Sequence, residues 1–149
     1  MEKDSFDLQR FLSAQAYTFE TALGELRAGR KRSHWMWFIF PQLRGLGRSP
    51  TAQFYGIASL DEARAYLAHP ELGPRLDLAT RAVLSTKDVP IRQIFGSPGD
   101  AKFHSSMTLF ALASSTGASP FSEALDRRFG GKTDDGSQRL LEHLGRSLK

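Results

Sequence analysis

Apolar residues recur along this chain with the period of short helices. Leu8, Phe11 and Leu12 mark a first one around Asp7 to Ala14. Phe19, Ala22, Leu23 and Leu26 mark a second from Tyr17 to Ala28, with Gly29 placed where a helix stops. Ser59-Leu60-Asp61-Glu62 has the form of a capping box and predicts a helix to about Ala68 that buries Ala63, Tyr66 and Leu67. After His69-Pro70, the stripe Leu72, Leu76, Ala79 and Val83 predicts another. A loop around Asp88-Val89-Pro90 leads to a short element from Ile91 to Phe95 that ends at Gly96. Ser97-Pro98-Gly99-Asp100 opens a strong helix with Phe103, Met107, Phe110 and Ala111 inward. Ser119-Pro120 places a cap before a first-turn proline, Phe121, Leu125 and Phe129 fill the inner face, and Gly130-Gly131 ends the helix. Leu140, Leu141 and Leu144 mark a last one.

No stretch alternates with the period of a strand. Trp35 to Phe40 is uniformly apolar, so its period is silent; it reads as a buried strand or a short buried helix that Pro41 ends. Gly45, Gly47 and Pro50 read as a loop. The pattern predicts one compact, mainly α domain spanning residues 1–149, with about eight short helices and little or no sheet. Packing is expected to be sparse at Gly45 to Pro50 and near Gly130 to Ser137.

Charge changes this picture at one place. Residues 26–60 hold six of the 20 Lys and Arg residues and none of the 16 Asp and Glu, so a net +6 sits there and −2 elsewhere. Both tryptophans lie in the same stretch. The cluster Arg30-Lys31-Arg32 follows a helix C-terminus, where positive charge complements the dipole. The same concentration of cations beside aromatic rings also suits an anionic ligand. The chain has no cysteine, which excludes disulfides, thiolate metal sites and a cysteine nucleophile, and fits a reducing cytoplasm. Its longest apolar run is far shorter than the roughly 20 residues of a membrane helix. The N-terminal residues lack the order of a signal peptide.

The four histidines are scattered without metal-ligand spacing, and no cofactor motif is present. Gly45-Leu46-Gly47-Arg48-Ser49 lacks the Walker and dinucleotide patterns; it is an ordinary turn or a backbone cradle closed by Arg48. Ser105-Ser106 has no nucleophile elbow around it and suits close helix packing. His34 has the titration range of an acid–base group, though a capping or hydrogen-bonding histidine is the simpler reading. Trp35 and Trp37 point apart on either kind of element, so one faces a pocket while the other packs inside. Gln42, a polar amide just after the apolar run, calls for a specific hydrogen bond. Asp100 is a proton-transfer candidate, though an acid in a first helical turn also complements the dipole.

Lys31 to Gln42, Gly45, Gly47, Tyr55-Gly56-Ile57, His69-Pro70-x-Leu72-Gly73-x-Arg75-Leu76, Ile94-Phe95-Gly96 and the run from Asp100 to Phe110 resemble the bacterial domain of unknown function 1810. Some members carry the label calpastatin, a disordered inhibitor unlike this patterned chain. The resemblance covers nearly the whole chain and implies a mostly helical fold without a defined activity. Lys102-Phe103 is also similar to a late-helix pattern of the NADAR group, helical N-glycosidases that act on ADP-ribose-type compounds.

Two functions follow as expectations. The first is a pocket for a small anionic, nucleotide-like ligand, with hydrolysis of an N-glycosidic bond as its chemistry. Asp100 and His34 would move protons, while Arg32, Trp35, Trp37, Gln42, Arg44, Arg48, Tyr55, Lys102 and Ser106 would bind the ligand. The second is a non-enzymatic module that contacts nucleic acid or an acidic protein through the basic, aromatic segment. No membrane partner is expected, and nothing in the sequence fixes an oligomeric state.

Overall fold

The structure is a computed structural model that describes residues 4–87 and 89–147; Asp88, in the expected loop, lies outside them. Among the described residues there are ten helices and no strand. In order they are α1 (Gln9–Gln15), α2 (Phe19–Arg27), α3 (Met36–Ile39), α4 (Pro50–Phe54), α5 (Leu60–Ala68), α6 (Leu72–Ser85), α7 (Ile91–Phe95), α8 (Gly99–Ala113), α9 (Pro120–Arg128) and α10 (Asp135–Ser147). Two of these exceed the expected eight. The apolar run from Trp35 forms α3, a helix of one turn. The presumed loop ending at Pro50 instead starts α4, with the Ser49 hydroxyl accepting the Ala52 N–H. Helix α4 buries no residue, so it leaves no apolar stripe to detect.

Helix α8 is the hub. Its sides pack against α5, α7, α9 and α10, while α6 lies against α2, α5 and α9. Phe103, Met107 and Phe110 on α8 are fully buried, and each buried side chain of this size contributes about 1.5–3 kcal/mol. Rings pack around them: Phe40 stands edge-on to Phe95 and Phe103, and Phe110 lies against Tyr66 and Phe121. Leu67, Ala111 and Phe129, expected inside, sit at the core's margin. Helix α6 approaches the end of α5 so closely that a Cβ on Gly73 would lie 2.1 Å from the Leu67 carbonyl oxygen. Only glycine allows this contact.

Helix α10 begins earlier than its leucines indicate because Asp134 caps it. The carboxylate accepts the Ser137 N–H at 2.8 Å and the Ser137 hydroxyl at 2.7 Å. The Asp134 N–H donates to Thr108 on α8, and Ser105 donates to the carboxylate. Ser105 therefore docks α10 and packs as a small residue. His104 has a structural place as well: its ring stacks on Phe129 at 4.0 Å, and Nε2 bonds the Lys132 carbonyl.

The basic segment is held by one carboxylate. Glu25, on α2, accepts the N–H groups of Arg32 and Ser33, the Ser33 hydroxyl and the Trp35 indole N–H, all within 2.9 Å. The lysine that follows the helix end, Lys31, also donates its N–H to the Ile94 carbonyl. So the chain from Arg30 to Trp35 is clamped between α2 and α7. Burial alone would raise the Glu25 pKa, but these hydrogen bonds outweigh it and bring it down to about 2. A carboxylate with a depressed pKa stabilises the fold above about pH 4.5, and that contribution is lost as pH falls toward about 2. The melting-temperature gap between the native chain and Glu25→Gln is therefore expected to narrow steadily from pH 5 to pH 2.5. Thermal unfolding across that range checks it; a constant gap would exclude this role for Glu25.

Candidate functional site

The segment after α3 folds back on itself to face the start of α8. Ile57 donates its N–H to the Gln42 carbonyl at 2.9 Å, and Arg44 donates its N–H to the Ile57 carbonyl at 2.8 Å. This pairing brings Leu43 beside Ile57 as an isolated parallel bridge. Gly56 makes the close return possible, since a Cβ there would lie 2.7 Å from the Arg44 Cα. The return leaves a narrow cleft lined by Trp37, Gln42, Ala52, Tyr55, Gly56 and, from across the gap, Lys102.

Each wall has a cause. The Lys102 ammonium sits 4.9 Å from the centre of the Trp37 ring, a cation–π distance. Tyr55 is braced by Phe11, Phe38 and Phe54 at 4.8 to 5.9 Å. The main chain beneath it is fixed by Arg10 of α1, which donates to the carbonyls of Phe54 and Gly56. The Gln42 side chain has no hydrogen-bond partner among the described residues, and Lys102 is in no ion pair among them. Burial pulls the Lys31 pKa below the usual lysine range; Glu25 opposes this, and Lys102 adds repulsion. The two ammonium groups thus share one region of positive potential. One turn along α8 from Lys102, the Ser106 hydroxyl is fully buried and has no hydrogen-bond partner among the described residues.

The space is small. The cleft has a cavity volume of about 10 Å³. That is room for a single water, or for a compact group after slight movement of Trp37 or Lys102.

Four sequence candidates therefore converge on the cleft: Trp37, Gln42, Tyr55 and Lys102. The others do not line it. Trp35 is fully buried and bonded to Glu25. Arg32 and Arg48 are exposed, and Arg44 turns its guanidinium to the Gly56 carbonyl. Asp100 bonds the next N–H in its own helix, Ala101. His34 stands on the rim of a neighbouring hollow. With Trp35 inside and Trp37 half-buried, the aromatic segment is not an exposed platform. Sequence reasoning missed Glu25 and Arg10, the residues that hold the site's two flanks. The one signal for Glu25 was its place as the last acid before a 35-residue acid-free stretch.

Comparisons with known proteins agree with this fold. The chain is similar to the conserved hypothetical protein Rv1873 from Mycobacterium tuberculosis, with a crystal structure at 1.38 Å, at 52% identity over 93% of this chain and 99% of that one, with a TM-score of 0.90. Curated proteins give no match. None of the helices of the described residues is long and apolar enough to cross a membrane. Residues 5–141 match the family model described as protein of unknown function (DUF1810), and the chain belongs to that family.

Proposed function

We propose that this protein binds a small anionic ligand in the cleft between Trp37, Gln42, Tyr55 and Lys102. The observation that carries the reading is Lys102: a half-buried ammonium with no carboxylate partner among the described residues, held over an indole face beside a free amide. A carboxylate or phosphate oxygen placed there takes up the Lys102 charge and a Gln42 N–H. Tyr55 supplies a hydroxyl at the opposite wall. The residues lining the cleft include no carboxylate and no histidine. This donor-rich set suits recognition of an anion better than the proton transfers of a glycosidase. After a slight shift of Trp37 or Lys102 the cleft takes the anionic group alone, with the rest of the ligand projecting outward.

Lys102→Met is expected to weaken binding of ribose 5-phosphate about tenfold or more, the effect of losing one charge-assisted hydrogen bond. Titration calorimetry at low ionic strength reads this directly, and an unchanged melting temperature shows that the variant is folded. Equal affinity of the two proteins, or no binding by the native chain, would refute the reading.

A further inference from the structure

Phe54 is, after Tyr17, the most exposed aromatic residue among those described. It is 54% exposed, on a short helix that buries nothing, and it forms one wall of an open hollow of about 470 Å³. The hollow is lined by His34, Phe38, Pro50 and Phe54, and it shares Trp37 and Tyr55 with the Lys102 cleft. Trp37 and Tyr55 therefore form the partition between a small cationic cleft and a wider hollow walled by rings. Phe54 stands edge-on to Tyr55 at 4.8 Å, and Phe38 is tilted against Tyr55 at 5.3 Å, so these rings are already ordered against one another.

We propose that this hollow is the ring subsite of the same ligand, which is then a planar, uncharged ring carrying a compact anion such as a phosphate monoester. The proposal rests on the anion-binding reading of the cleft. Its logic is size and chemistry. The cleft takes no more than the anionic group, and that only once Trp37 or Lys102 shifts. Trp37 and Tyr55 line both spaces, so a ligand anchored by Lys102 that projects past either ring meets aromatic faces, Pro50 and Thr51. Such faces hold a flat ring by stacking, and they hold a flexible polyol or an aliphatic chain less well. Phe54 is a ring-positioning residue in this arrangement, and His34 stands at the rim as a further stacking or hydrogen-bonding group.

The test compares three probes by titration calorimetry: ribose 5-phosphate, adenosine 5′-monophosphate and adenosine. The native chain is expected to bind adenosine 5′-monophosphate about tenfold tighter than ribose 5-phosphate, near the low end for one base stacked on an aromatic side chain. Phe54→Ala removes most of that gap, weakening adenosine 5′-monophosphate far more than ribose 5-phosphate, whose affinity changes only as far as Tyr55 loses the Phe54 ring beside it. Phe54→Leu, which keeps apolar bulk without a ring, removes most of the gap and serves if the alanine variant fails to fold. Lys102→Met weakens both phosphates. Equal binding of the two phosphates by the native chain, or a gap that survives both Phe54 variants, would overturn the ring subsite and leave the anion site standing. Adenosine binding that depends on Phe54, with no binding of ribose 5-phosphate, would retain the ring subsite and remove the anion reading. No binding of any probe would remove both.

Discussion

Replacing Glu62 with alanine is expected to destabilise the protein by about 3–5 kcal/mol, lowering its melting temperature by roughly 10 °C for a chain of this size. Glu62 pairs with Arg10 at 2.7 Å, and both side chains are almost wholly buried, 3% and 5% exposed. The carboxylate has a second duty: its other oxygen accepts the Ala58 N–H. Arg10 is fully engaged, donating also to the carbonyls of Phe6, Asp7, Phe54 and Gly56. Removing Glu62 leaves a buried guanidinium with no counter-charge and a backbone N–H with no acceptor. The cost is therefore that of an orphaned charge and exceeds the net value of the pair. Two further variants separate these quantities. Glu62→Gln keeps the shape and the oxygen acceptor and should cost less than alanine. The double variant Arg10→Met, Glu62→Leu removes both charges and should recover part of the loss. Chemical denaturation of the set measures all three; a Glu62→Ala cost below about 1 kcal/mol would place the pair with exposed ion pairs of little worth. The effect should reach the site as well, because Arg10 holds the main chain on either side of Tyr55.

That pair also shows where sequence reasoning stops. Ser59 and Glu62 were legible as a capping box because the cap is local: the Ser59 hydroxyl does accept the Glu62 N–H. The Glu62 carboxylate departs from the box, passing over the Ser59 N–H for that of Ala58 and turning inward to Arg10, 52 residues away in sequence. Nothing within a helical window signals such a partner. Helices with an apolar stripe, such as α6 and α8, were readable from spacing. Helix α3 was not, since a uniformly apolar segment fits either period and only packing decides. Helix α4 had the same serine–proline start as α9, but without a buried face Pro50 resembled the end of a loop. The cleft was half legible. Trp37, Gln42 and Tyr55 stand in one segment whose charge and rings attract notice. Lys102 reaches them across the fold, and the spacing of the chain gives no distance between them. The resemblance put Lys102-Phe103 in the same family pattern as Lys31 to Gln42 and so drew notice to Lys102, but it gave no distance either.

Trp35→Ala is expected to cost about 3–5 kcal/mol, the range for deleting a buried aromatic side chain, whereas Trp37→Ala should cost far less and act on binding. The two residues are separated by Met36 alone, yet they divide the work of the segment. Trp35 precedes the single turn of α3 and is fully buried. Its ring lies 6.3 Å from Phe40, is capped by Lys31 at 5.2 Å, and ends in the hydrogen bond to Glu25. Loss of the side chain opens a cavity beside Phe40 and removes one of the donors that hold the Glu25 carboxylate ionised. Trp35→Phe restores most of the volume but no donor, so its cost should fall between those of the native residue and alanine, with the remainder due to the indole N–H. Trp37 lies inside the α3 turn, partly buried, with one face toward Lys102. Trp37→Ala should leave the unfolding midpoint within a few degrees while abolishing the cleft's inner wall. The proteins also differ optically. Trp37→Phe leaves only the buried indole, which should emit at short wavelength and resist a polar quencher; Trp35→Phe leaves the indole at the cleft, which should be quenched and should respond to ribose 5-phosphate. If Trp35→Ala cost no more than Trp37→Ala, the segment would not be the two-sided wedge on which both the fold and the cleft depend.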